Sequence, residues 1–131
     1  MCIFCRIVAG ELPCYTIYED VSVLAFLDIS PATVGHTLVI PKQHFTSILD
    51  CDPDLLAAVA KAIQKIARHY VNNCGFTGLN ILNANGKAAQ QSEFHLHFHL
   101  VPRTDNDGLD FWPQTSVPEL DLAAIRAKLA L

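Results

Sequence analysis

The sequence predicts an α+β protein: a five-stranded antiparallel sheet with one long helix and short terminal helices. Three observations predict it. Five short runs rich in β-branched and aromatic residues are bounded by turn residues. The first two runs lie close enough to form a hairpin. One long stretch between the third and fourth runs keeps a 3.6-residue apolar period. At 131 residues, with 51% apolar and 17% charged, the chain has the makings of one packed core, and we read 1–131 as a single domain.

Each element has a local reason. Residues 2–8 fit a short helical turn, closed by Gly10 and Pro13. Residues 15–19 and 23–27 read as strands, with Glu19-Asp20 in the turn between them. Ser30-Pro31-Ala32-Thr33 and Gly35 punctuate a loop, and residues 37–40 form a short apolar strand stopped by Pro41. Asp52 is an N-cap, with Pro53 at the first helical position. Leu55, Leu56, Val59, Ile63, Ile66, Ala67 and Tyr70 then share a helical stripe that Gly75 ends. Residues 79–82 read as a strand, 83–91 as a loop, and 94–101 as a strand ended by Pro102. Residues 105–118 are turn-rich but hold Phe111 and Trp112. Residues 121–131 form a C-terminal helix with Leu122, Ile125 and Leu129 on one side.

Composition narrows the function. The net charge is −4 and no Lys/Arg cluster occurs, which argues against a nucleic-acid partner. No apolar run reaches the length of a membrane span. The N-terminal residues lack the basic and apolar regions of a signal peptide. Five cysteines, an odd count, fit a reducing cytoplasmic compartment and thiols that are free or metal-bound.

The histidines carry the strongest signal. His95-Leu96-His97-Phe98-His99-Leu100-Val101 alternates strictly, so a strand here lines one face with three imidazoles and sends Leu96, Phe98 and Leu100 to the other. Neighbouring imidazoles at about 7 Å can span a phosphate and its leaving group. A solvated polar face and a metal site using His-x-His are the competing readings. His36 and His44 flank the apolar strand at 37–40. His69, near the end of the long helix, reads as structural.

These motifs resemble the histidine triad (HIT) family. The resemblance rests on the triad with Ile3-Phe4-Cys5-Arg6-Ile7, Phe26-Leu27-Asp28-Ile29-Ser30-Pro31, Gly35-His36-Thr37-Leu38-Val39-Ile40-Pro41-Lys42-Gln43-His44, Gln91-Ser92 and Pro102-Arg103, all in order. It implies a HIT-like fold that dimerises into a continuous ten-stranded sheet. It also implies a hydrolase or transferase acting at the α-phosphate of a purine nucleotide conjugate, either a phosphoramidate or a dinucleoside polyphosphate. The intermediate is a nucleotidyl-histidine on His97. By the same resemblance His99 contacts the phosphate and leaving group, and His36 supports His97. Ser92, Asn85 and the backbone around Gln91 serve the phosphate. Asp28 accepts from the ribose, and Ile3, Phe4, Ile7, Phe26, Leu27 and Ile29 hold the base. Cys2 and Cys5, with His44 and His95, match a structural zinc site of bacterial members.

The pattern breaks at three places. Ala84 stands where the family places an Asn or Gln that donates to a phosphate oxygen. Gln90 replaces a usual glycine, and Glu93 occupies a usually apolar position. Two other readings stay open: a nucleotide-binding regulatory module with little catalysis, and a metal-dependent hydrolase.

Overall fold

The protein is described from a computed structural model that covers residues 2–113 and 115–131; Met1 and Gln114 lie outside the described residues. The elements run α1 (Ile3–Val8), β1 (Thr16–Glu19), β2 (Val23–Leu27), β3 (Thr37–Pro41), α2 (Pro53–Asn73), β4 (Gly78–Leu82), a 3₁₀ turn (Lys87–Ala89), β5 (Phe98–Arg103) and α3 (Leu122–Leu129). The strands form one antiparallel sheet in the order β1-β2-β3-β5-β4. The fold is the predicted five-stranded α+β sheet.

The central strands β2 and β3 are buried on both faces, which explains why they read as continuous apolar runs. Val23, Ala25, Val39 and Leu100 face α2 and meet its stripe of Val59, Ala62, Ile63, Ile66 and Tyr70. Leu24, Phe26, Leu38 and Ile40 face the other way and pack with Phe4 of α1. The Asp52 carboxylate caps α2 by accepting from Asp54 N–H and Leu55 N–H at 2.9 and 3.1 Å. Inside the core the hydroxyls of Thr37 and Tyr70 meet at 2.6 Å, which satisfies both away from water.

Two expectations shift. The last strand runs over Phe98–Arg103 rather than 94–101, and Pro102 lies within it. Its ladder stops at Phe98: β4 ends with Leu82 opposite His99, and β3, which continues to Pro41, makes its last pair at Val39 opposite Phe98. Residues 94–97 stay outside the ladder; Leu96 N–H bonds instead to Phe45 O at 2.6 Å. Past Leu100, β5 has β4 alone beside it, where proline is tolerated. The second shift is α3. Leu122, Ile125 and Leu129 are exposed, and no residue of that helix is buried.

Gln90 has φ +64°, in the left-handed region, as the C-cap of the 3₁₀ turn. That geometry costs a residue with a Cβ about 1–2 kcal/mol. Gln90→Gly should therefore raise the free energy of urea unfolding by up to about 1 kcal/mol. A loss of stability would mean that the Gln90 side chain outweighs the backbone strain.

Candidate active site and metal centre

Four ligating groups converge where α1 meets the segment before β5. Cys2 is the N-cap of α1, and its sulfur accepts from Cys5 N–H at 3.3 Å, so one turn brings the two thiols together. His95 is fully buried. Its Nδ1 lies 3.3 Å from Cys2 Sγ, 3.6 Å from Cys5 Sγ and 3.2 Å from His44 Nδ1; Cys5 Sγ lies 3.3 Å from His44 Nδ1. A tetrahedral ion with bonds of about 2.3 Å to sulfur and about 2.0 Å to nitrogen separates its ligands by about 3.3–3.8 Å. The observed spacings fit that cage closely. The tautomer fits as well. His95 Nε2–H donates to Pro41 O at 2.8 Å, which leaves the Nδ1 lone pair aimed into the cluster. Burial keeps the His95 imidazole neutral by lowering its pKa, while burial and the neighbouring Cys2 raise that of the Cys5 thiol. These four residues can hold a metal ion.

The other two triad histidines point elsewhere. His97 is buried and donates Nδ1–H to the carbonyl of His95 at 2.8 Å, so Nε2 keeps its lone pair. The expected partner of His36 is His97; the structure pairs it with His99, Nε2 to Nδ1, at 2.9 Å. β3 and β5 explain why, since Leu38 pairs with His99 in the ladder. Ala32 N–H donates to His36 Nδ1 at 3.0 Å. His36 therefore carries its proton on Nε2 and donates a hydrogen bond to His99 Nδ1, which leaves His99 with Nε2–H as an outward donor. Burial, together with His97 and His36, pulls the His99 pKa down to about 4, against the opposing pull of Asp28. Burial also lowers that of His36, whose Nε2 lies 3.6 Å from Asp28 Oδ2.

Asp28, His36 and His99 also lie close enough to ligate a metal. The hydrogen bonds argue against it. With Nδ1 occupied by Ala32 N–H, His36 has no neutral tautomer that frees Nε2 for an ion. The triad thus divides: His95 joins the cysteine cluster, His97 stands alone, and His99 joins His36. It does not form a three-histidine metal site. The ring centroids of His97 and His99 lie 5.0 Å apart in an edge-to-face arrangement, closer than the roughly 7 Å expected of a strand, and His97 lies outside β5.

His97 and His99 open into a cavity of about 750 Å³, within the range of small-molecule sites. Its lining includes Ile3, Phe4, Ile7, Phe26, Leu27, Asp28, Ile29 and Ser92, all expected. Phe4 and His97 pack edge to face, with ring centroids 5.3 Å apart, which joins the apolar wall to the His97 ring. Leu12, Pro13, Cys14, Tyr15, Ser30 and Leu38 also line the cavity and were not anticipated. The Leu12-Pro13 turn was a usable signal; for exposed Tyr15 no local pattern gave one. No Lys or Arg lines the cavity.

The HIT domain family matches residues 9–106. The chain belongs to the HIT family. A HIT-like protein of Borreliella burgdorferi is 52% identical over 84% of this chain and 81% of its own length. The adenosine 5′-monophosphoramidase hnt1 of Schizosaccharomyces pombe is 34% identical over 98% of this chain and 96% of its own. The crystal structure of a zinc-bound histidine triad family protein from Mycobacterium smegmatis superposes with a TM-score of 0.80 at 45% identity, covering 88% of this chain and 84% of that one.

In this HIT protein two expected phosphate contacts serve the loop instead. Asn85 Oδ1 accepts from Ile48 N–H at 2.8 Å, and its amide donates to Asn83 Oδ1. Asn83 Nδ2 in turn donates to the His97 carbonyl at 2.8 Å. Gln91 is buried, accepts from Gly86 N–H, and donates to Thr46 O and Glu93 O at 2.7 and 2.9 Å. Its backbone N–H bonds to Gly86 O. Neither Asn85 nor Gln91 lines the cavity. Asn83 does not line the cavity either, so neither asparagine beside Ala84 is part of its wall.

Metal analysis of protein purified without chelator should give about one zinc per chain. Cys5→Ser should abolish that and lower Tm by roughly 5 °C or more, since binding adds to folding free energy. Metal-free protein of unchanged Tm would overturn the cluster's structural role.

Proposed function

We propose that this HIT protein hydrolyses or transfers the nucleotidyl group of adenosine or other purine nucleotide conjugates by attack of His97 Nε2 on the α-phosphate. One observation carries the reading. The Nδ1–H bond to His95 O leaves the Nε2 lone pair facing a cavity with an apolar wall deep enough for a base. The phosphoramidase name of the fission-yeast relative supports the substrate class.

The chain's residues would divide the work as follows. The Phe4 and Phe26 side of the cavity takes the base, and Asp28 accepts from the ribose hydroxyls. His97 attacks phosphorus, which splits one displacement into two. His99, held neutral, gives Nε2–H as a hydrogen bond to a phosphate or leaving-group oxygen or nitrogen, and Ser92 adds its hydroxyl. Water then displaces Nε2 and releases the mononucleotide. Zinc, bound by Cys2, Cys5, His44 and His95, would fix His95 without touching substrate. The lost donor at Ala84 is worth about 1.5–3 kcal/mol, so turnover slower than that of an Asn-bearing relative is part of the account. That same loss is what favours the second reading, a nucleotide-binding module with little catalysis.

Two further expectations belong here. β4 pairs only with β5, so its outer edge is open, and Ile81 and Leu82 are 51% and 37% exposed. Pairing of β4 with its copy in a second chain would give the ten-stranded sheet of a homodimer. All five cysteines are free, which supports a reducing, cytoplasmic setting. Among the described residues no helix is long and apolar enough to cross a membrane.

His97→Asn should lower kcat/KM for an adenosine 5′-phosphoramidate by at least about a thousandfold, with AMP binding within about threefold of the parent protein. Hydrolysis by the variant at the parent rate would overturn the nucleophile.

A further inference from the structure

Glu93 is the one charged side chain in the cavity for which the proposed reaction has no task. It lines the cavity beside Ser92, is exposed to solvent, and has no ion-pair partner among the described residues. Its backbone is anchored, because Gln91 Nε2 donates to the Glu93 carbonyl at 2.9 Å and ties the same amide to Thr46 O. The root of the side chain is thus held at the mouth of the cavity, four residues before His97.

The charge balance around it is one-sided. The carboxylates in the lining are Asp28 and Glu93, and no Lys or Arg accompanies them. The cation of α1 is already engaged, with Arg6 on Glu11 at 3.2 Å, and Lys42 beyond β3 is bound to Glu19 at 2.8 Å. An α-phosphate already brings a negative charge into this field. A leaving group with further phosphates adds more, with no Lys or Arg among the described lining residues to neutralise it, whereas a cationic one meets Glu93.

We propose that Glu93 selects the leaving group by charge, favouring conjugates whose leaving amine carries an ammonium group over anionic leaving groups such as polyphosphates. This rests on the reaction proposed above. In its first half the Nε2–P bond forms and the P–N bond breaks. The electron pair stays on the leaving nitrogen, which takes a proton from solvent. Glu93 exchanges no proton and forms no bond; it acts through space on the far end of the amine, as an electrostatic specificity residue.

The test uses three adenosine 5′-phosphoramidates that differ only at the far end of the leaving amine: trimethylammonium, its uncharged tert-butyl isostere, and carboxylate. The full chain should prefer them in that order by kcat/KM. Glu93→Gln and Glu93→Val should each shrink the ammonium-to-isostere preference by about three- to tenfold. In the unsubstituted chain the preference should also fall when salt is raised to about 0.5 M, since exposed charges are screened. A preference unchanged in both variants, or indifferent to salt, overturns the role of Glu93 while leaving the hydrolytic reading intact. Failure of the unsubstituted chain to cleave any conjugate or to bind AMP overturns both.

Discussion

One carbonyl oxygen organises this site. His95 O accepts Nδ1–H of His97 at 2.8 Å and so decides which nitrogen of the buried imidazole holds a lone pair. That carbonyl must itself be fixed, and residues 94–97 have no sheet ladder to fix it. Three other contacts do so. The His95 ring is held between Pro41 O and the cluster of Cys2, Cys5 and His44. Leu96 N–H is held by Phe45 O. Asn83 holds the carbonyl of His97, two residues on. A cluster able to hold a metal and the oriented His97 imidazole thus share one residue, whose side chain joins the first and whose backbone orients the second.

The second feature is the absence of fixed positive charge. A phosphate site built on Arg or Lys attracts any anion of the right size. Here the histidine groups are neutral: His36 Nε2–H donates a hydrogen bond to His99 Nδ1, Ala32 N–H sets the direction of that bond, and burial disfavours the charged form of both rings. Neutral donors stabilise charge that develops at a defined point and leave carboxylates free to discriminate farther out.

Much of this was legible in the sequence because it follows from local periodicity. The stripe on α2 and the unbroken apolar runs of β2 and β3 each specify their faces directly. The alternation holds within β5, where Phe98 and Leu100 turn to α2 while His99 turns to the pocket; residues 95–97, outside the ladder, do not extend it as a strand face. What was not legible depends on distant partners. His36 and His99 are 63 positions apart, and their contact is set by the register of β3 on β5. Gln91 and Asn85 look like phosphate donors in isolation, yet they satisfy backbone groups of Thr46 and Ile48 across the loop. The start of β5 depends on where its pairing with β3 and β4 ends, which no single segment encodes. The metal cluster came from resemblance, since Cys-x-x-Cys by itself does not say which histidines will join it.

The tautomers are the most direct test of this account. Long-range ¹H–¹⁵N correlation spectra of the imidazoles at pH 7 read them site by site, with assignments from His36→Gln and His99→Gln variants. We expect His97 protonated on Nδ1 alone, and His36 and His99 protonated on Nε2 alone, with His99 staying neutral until the pH approaches about 4. A His97 ring carrying its proton on Nε2, or a His99 ring doubly protonated at pH 7, would contradict it.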